Sequence, residues 1–185
     1  LLSAEGDLAD ALLSLHLAPV AVSYEWEPCD TLKVLELYRS SRSVYVKQPG
    51  EDLHSILTGI TQPKGRIHMA FCPPVTHADL APYRGLPVNA FCREVAALLD
   101  RRIRGAYKLF PNHYIAADLL SGSSAYAAYY TDTERQAFLD SMVRLDALCA
   151  PGPECAESLP SGALPELRER YLRLYANPVF LIHQP

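Results

Sequence analysis

The chain has 185 residues, 49% hydrophobic and 21% charged, and a net charge of −4 with its six histidines neutral. These are ordinary values for one globular domain with a real core. The acidic balance argues against an open nucleic-acid surface, which needs a cationic excess. No run of about 18 apolar residues is present to span a bilayer.

Ser3 is placed to cap a first helix reaching about His16, with Leu8, Leu12, Leu13 and Leu15 at helical spacing. Pro19 closes the helical option, and Ala18 to Glu25 reads as a strand. In it Val20 and Val22 point one way, and Ala21, Ser23 and Glu25 the other. Asp30 is a good N-cap for a helix over Thr31 to Ser41, and Glu51 to Ile60 forms another with Leu53, Ile56, Leu57 and Ile60 on one side. Arg66 to Cys72 alternates, with Ile67, Met69 and Phe71 on one face, which predicts a half-buried strand stopped by Pro73-Pro74. From Pro87 the pattern turns helical: to about Arg104, then Asn112 to Leu120 closed by Gly122, Asp132 to Cys149, and Leu164 to Tyr175. Pro151 to Gly162 is a Pro/Gly/Ser-rich loop.

Helix and strand alternate at the front and helices dominate the back. The expected fold class is α/β, a partial sheet over residues 1–85 with a helical extension over 86–185. Two or three strands are too few for a stable sheet with covered faces, and the chain opens on Leu inside a helical pattern. The chain therefore reads as a fragment whose remaining strands lie upstream. Five cysteines (Cys29, Cys72, Cys92, Cys149 and Cys155), odd in number and without CxxC spacing, read as free thiols of a reducing cytosol.

The stretch Leu17-Ala18-Pro19-Val20-Ala21-Val22-Ser23 is similar to the fourth conserved block of the glycerolipid acyltransferases. Tyr24-Glu25-Trp26-Glu27-Pro28-Cys29-Asp30, Leu57-Thr58-Gly59-Ile60, Lys64-Gly65-Arg66-Ile67-His68 and Tyr107-Lys108-Leu109-Phe110-Pro111-Asn112 resemble a bacterial subgroup, the 1-acyl-glycerol-3-phosphate acyltransferase-like proteins. The likeness runs over about residues 1–120. It implies a mixed sheet wrapped by helices. The implied activity is transfer of a fatty acyl group from acyl-CoA or acyl carrier protein to a lysophospholipid at a membrane surface on the cytoplasmic side. No metal, cofactor or nucleic acid is implied. Family members carry a His-x4-Asp base and a Phe-Pro-Glu-Gly block before the Pro-Val block, and neither occurs before Pro19 here. The chain is thus expected to contribute a pocket wall, with Pro19, Val20, Val22 and Ser23 facing the acceptor and Lys64 and Arg66 a phosphate or coenzyme A. The alternative is a non-catalytic helical interaction or regulatory module using the helices from Pro87 onward.

Asn112-His113-x4-Asp118 matches Asn-His-x4-Asp literally, with His113 as base and Asp118 as its orienter. Its place after the Pro-Val block makes it a chance match of a surface histidine and a helical aspartate on a packing helix. His54, His68 and His77 have no ligand spacing. Glu25, Glu27 and Asp30 read as a cap and solvated strand-end acids. Ser23 and Ser124 lack a G-x-S-x-G frame. Arg93, Arg101, Arg102 and Arg104 form either an ordinary helix end or a lipid-facing patch. Tyr126, Tyr129 and Tyr130 read as packing aromatics.

Overall fold

The computed structural model describes residues 7–149 and 159–183; Ser3, Cys155 and most of the 151–162 loop lie outside them. The helices are α1 (Leu8–Leu13), α2 (Asp30–Ser40), α3 (Glu51–Thr61), α4 (His77–Leu80), α5 (Val88–Ala106), α6 (Pro111–Ser121), α7 (Asp132–Ser141), α8 (Arg144–Ala147) and α9 (Leu164–Ile182). Two strands, β1 (Val20–Tyr24) and β2 (Ile67–Phe71), pair in one sheet. Glu25 N–H bonds Arg66 O and Cys72 N–H bonds Pro19 O, so the strands run antiparallel. At this coarse level helices and sheet coexist as expected, with helix dominant.

The chain forms two compact units whose boundaries fall inside the strands and after Lys108. The first unit holds the residues up to Ser23 with His68–Lys108. Its core is Ala9, Val75, Leu80, Phe91 and Val95, with Leu12 and Leu13 packed on them. Asp7 caps α1, accepting from Ala9 N–H. Thr76 and Asp79 form a capping box on α4. Arg102 joins Asp79 at 2.6 Å and donates to the carbonyls of Pro73 and Pro74. It therefore fastens the turn after β2 and is not part of a lipid patch. α5, assigned from sequence to the helical extension, belongs to this unit.

The second unit holds Tyr24–Ile67 and the residues from Leu109 on. α9 packs against α6 and α2, burying Leu167, Tyr171, Tyr175 and Val179 with Val34, Ile115 and Phe138. The expected end of this helix at Tyr175 is too early. α9 carries Pro178 inside it, because fully buried Ala176 and Val179 outweigh the lost backbone hydrogen bond. The single helix expected over Asp132 to Cys149 is broken at Met142–Val143 into α7 and α8. Gly122, at φ +63°, closes α6 as its glycine predicts.

The burial of β2 is the reverse of the expectation. Ile67, Met69 and Phe71 are 56, 58 and 78% exposed, while His68 and Ala70 lie on the better-covered side. The register sets Val20 opposite Phe71 and Val22 opposite Met69, so these four share one outward apolar face. On the opposite face Ala21 and Ser23 are buried.

Candidate functional site

The turn after β1, Glu25 to Asp30, gathers residues that lie far apart in sequence. Glu25 holds Arg66 through Oε1···Nη2 at 2.7 Å, Oε2···Nε at 3.2 Å and the Arg66 N–H at 2.8 Å. That forked contact, opposing burial, keeps the Glu25 carboxyl below its usual range and the Arg66 guanidinium above its own. Arg66 also lies 3.6 Å from Glu134 and over the Phe110 ring. Asn112 Nδ2 donates to the Glu25 carbonyl at 2.7 Å. Gly65, at φ +63°, leaves room for Trp26: a Cβ there would lie 2.8 Å from Trp26 Cδ1 and 2.6 Å from Glu25 Oε2. Cys29 rests on Gly59 and donates to the Ser55 carbonyl. Each motif quoted from this unit for the resemblance, Trp-Glu-Pro-Cys-Asp, Leu-Thr-Gly-Ile, Lys-Gly-Arg and Phe-Pro-Asn, therefore meets at this turn.

Asp30 anchors the far end of the turn. Asp30 is not the N-cap expected from the sequence: Cys29 is the N-cap, and Asp30, the first residue of α2, is 1% exposed. Its Oδ1 accepts from Thr31 N–H at 2.6 Å. Its Oδ2 accepts from Arg144 Nη2 at 2.8 Å and from the hydroxyls of Tyr171 and Tyr175 at 3.0 Å each. Tyr175 in turn accepts from Glu27 N–H, and Tyr171 meets Ser141 Oγ. Burial, reinforced by the Asp30 charge, pushes the Tyr171 hydroxyl up to about 12 and Tyr175 higher still. Burial works against the Arg144 charge, but Asp30 and Tyr171 more than offset it. Beside this network lies a cleft of about 320 Å³ walled by Trp26, Pro28, Pro63, Ala137 and Arg144. The spacing of Tyr171 and Tyr175, one helical turn apart, was the available sequence signal for two hydroxyls on one face.

The other sequence candidates are placed as follows. Ser23 is buried and accepts from Lys108 N–H at 2.9 Å, while Pro19 accepts from Cys72 N–H. Val20 and Val22 lie on the outward face. Lys64 Nζ caps the end of α3, donating to the carbonyls of Ile60 and Gln62. Lys64 and Arg66 are thus engaged within the chain. His113 is not at the surface but 3% exposed, and its Nδ1 accepts the Phe110 N–H at 3.0 Å, capping α6. Burial holds its pKa at about 4, so it stays neutral. Asp118 accepts from Ser123 Oγ, Tyr126 N–H and Tyr130 Oη, closing the loop after α6. Tyr114 stacks on Tyr129 at 4.4 Å. Glu27 pairs with Lys33 at 2.9 Å, so Glu25, Glu27 and Asp30 each have a separate cation. Arg93 lies near Glu94 and Arg104 near Asp100. Among the described residues no group of three or more His, Cys, Asp or Glu is arranged to hold a metal, and no helix is long and apolar enough to cross a membrane.

The chain matches no protein-family model, no curated protein and no solved structure.

Proposed function

We propose that the chain is the rear part of a glycerolipid acyltransferase that esterifies a lysophospholipid with an acyl group from acyl-CoA or acyl carrier protein. The observation that carries this reading is the outward sheet face of Val20, Val22, Met69 and Phe71. Two strands do not sustain an apolar face in water, and a patch of this kind marks a surface that something covers. A mixed sheet wrapped by helices, the fold that the resemblance implies, supplies further strands and a covering layer.

In this reading Pro19, Val20 and Val22 wall the acceptor pocket, and Ser23 fixes the strand by holding Lys108. The turn at Glu25–Asp30 sets where the strand ends. A histidine of the preceding His-x4-Asp block takes the acceptor hydroxyl proton. The hydroxyl oxygen then attacks the thioester carbonyl, the carbon–sulfur bond breaks, and the proton passes to the leaving sulfur. His113 is ill-suited to that role, since its Nδ1 is occupied and its basicity is low. The membrane contact is peripheral, on the cytoplasmic face.

The helices from Pro87 onward spend their stripes on the cores, through Phe91, Val95, Phe138, Leu167 and Tyr171. This inward packing favours a structural role for these helices over the alternative, a non-catalytic interaction module. The test is the coding sequence upstream of Leu1. His-x4-Asp followed by Phe-Pro-Glu-Gly is expected there; an upstream sequence with neither ends the reading.

A further inference from the structure

α3 is inside out. Its half-buried residues are Glu51, Ser55, Thr58 and Gly59, spaced i, i+4, i+7, i+8 along one face. Ser55 and Gly59 meet Cys29 on that face. The opposite face carries Leu53, Ile56, Leu57 and Ile60 at i, i+3, i+4, i+7, each 51–69% exposed. A helix packing on its own protein ordinarily does the reverse. Val44 and Val46, just before it, are also exposed.

We propose that this face of α3 is a lipid-contacting surface that seats the protein on the bilayer. Three observations favour lipid over protein as the occupant. The stripe is wholly aliphatic, without the Trp, Tyr or Arg anchors that dominate protein interfaces. Four side chains on two turns fall far short of the roughly 20–30 residues a side that a stable dimer needs, but they suit a shallow peripheral anchor. The charges near the face are arranged compatibly. Lys47 and Lys64 stand beyond its two ends, Lys47 neutralises Asp52, and no Asp, Glu, Lys or Arg lies between Leu53 and Thr61. The inference rests on the proposed function only in that a bilayer-resident acceptor gives a reason to dock.

The test uses the 185-residue chain and phosphatidylcholine vesicles, with and without phosphatidylglycerol, read by co-sedimentation. The variants are Ile56→Asp/Ile60→Asp and, independently, Leu57→Trp, with helicity checked by circular dichroism. The wild type is expected to pellet with vesicles. The double variant should lose about tenfold or more in partitioning with its helicity intact. The indole introduced by Leu57→Trp should shift its emission to the blue when vesicles are added, over the wild-type signal from Trp26. Failure of the wild type to bind overturns the proposal. So does equal binding by the double variant, or a concentration-dependent dimer that the double variant abolishes. Acyl transfer by the longer protein to a short-chain acceptor in solution is a separate readout. Transfer without vesicle binding retires the α3 proposal alone, and vesicle binding without transfer retires the acyltransferase reading alone.

Discussion

Asp30→Ala removes one carboxylate that answers a backbone N–H, a guanidinium and two tyrosine hydroxyls, at 2.6 to 3.0 Å. Both hydroxyls stay buried after the change, and a buried donor left without its acceptor costs about 1–3 kcal/mol. Tyr171 keeps Ser141 as a partner, so its share falls at the low end. Arg144 is half exposed and regains water, so its share is small. The sum is about 2–4 kcal/mol, overlapping the range for breaking one side of a buried ion pair and a large fraction of the 5–15 kcal/mol typical of a domain. Asp30→Asn keeps the shape and one acceptor oxygen, and should cost about half as much. Urea unfolding followed by tryptophan fluorescence measures both, because Trp26 is the only tryptophan and stacks on Phe138 in the same core. An Asp30→Ala protein within about 0.5 kcal/mol of wild type would refute the claim that this network holds the turn.

His113 has a native pKa of about 4 against an ordinary 6.5. Its contribution to stability is therefore complete above pH 6.5 and is lost as pH falls toward 4, on the order of 3 kcal/mol. His113→Asn, which keeps an acceptor for the Phe110 N–H, should flatten the stability profile between those limits in urea titrations. Tyr171 has the opposite sign. Its pKa, raised from 10 to about 12, contributes stability that is complete below pH 10 and is lost as pH rises toward 12, and Tyr171→Phe should reduce that alkaline loss. Gly65→Ala forces a Cβ into the left-handed region against Trp26, and should cost about 2–4 kcal/mol in the fluorescence midpoint.

The sequence announced elements wherever local chemistry decides them. Pro19 and Pro73 bracket the strands, apolar spacing marks α5, and Gly122 ends α6. It was less informative where distant partners decide. Asp30 reads as a cap from its neighbours, yet three of its four partners, Arg144, Tyr171 and Tyr175, lie more than 110 residues away. Pro178 reads as a helix breaker, yet Tyr175 and Val179 are buried on either side of it. Alternation correctly grouped Ile67, Met69 and Phe71, but periodicity does not say which face meets a core. The quoted motif residues of the second unit were legible one by one; that they converge on one turn is a tertiary fact.

Transfer of a labelled acyl group to lysophosphatidate is the most direct measurement, made with acyl-CoA and with acyl carrier protein as donors. It compares the protein extended upstream of Leu1 with the 185-residue chain. The extended protein should form phosphatidate, the shorter chain should not, and replacing the upstream histidine with alanine should abolish the product. An extended protein that forms none with either donor, or a 185-residue chain that matches it, contradicts the account.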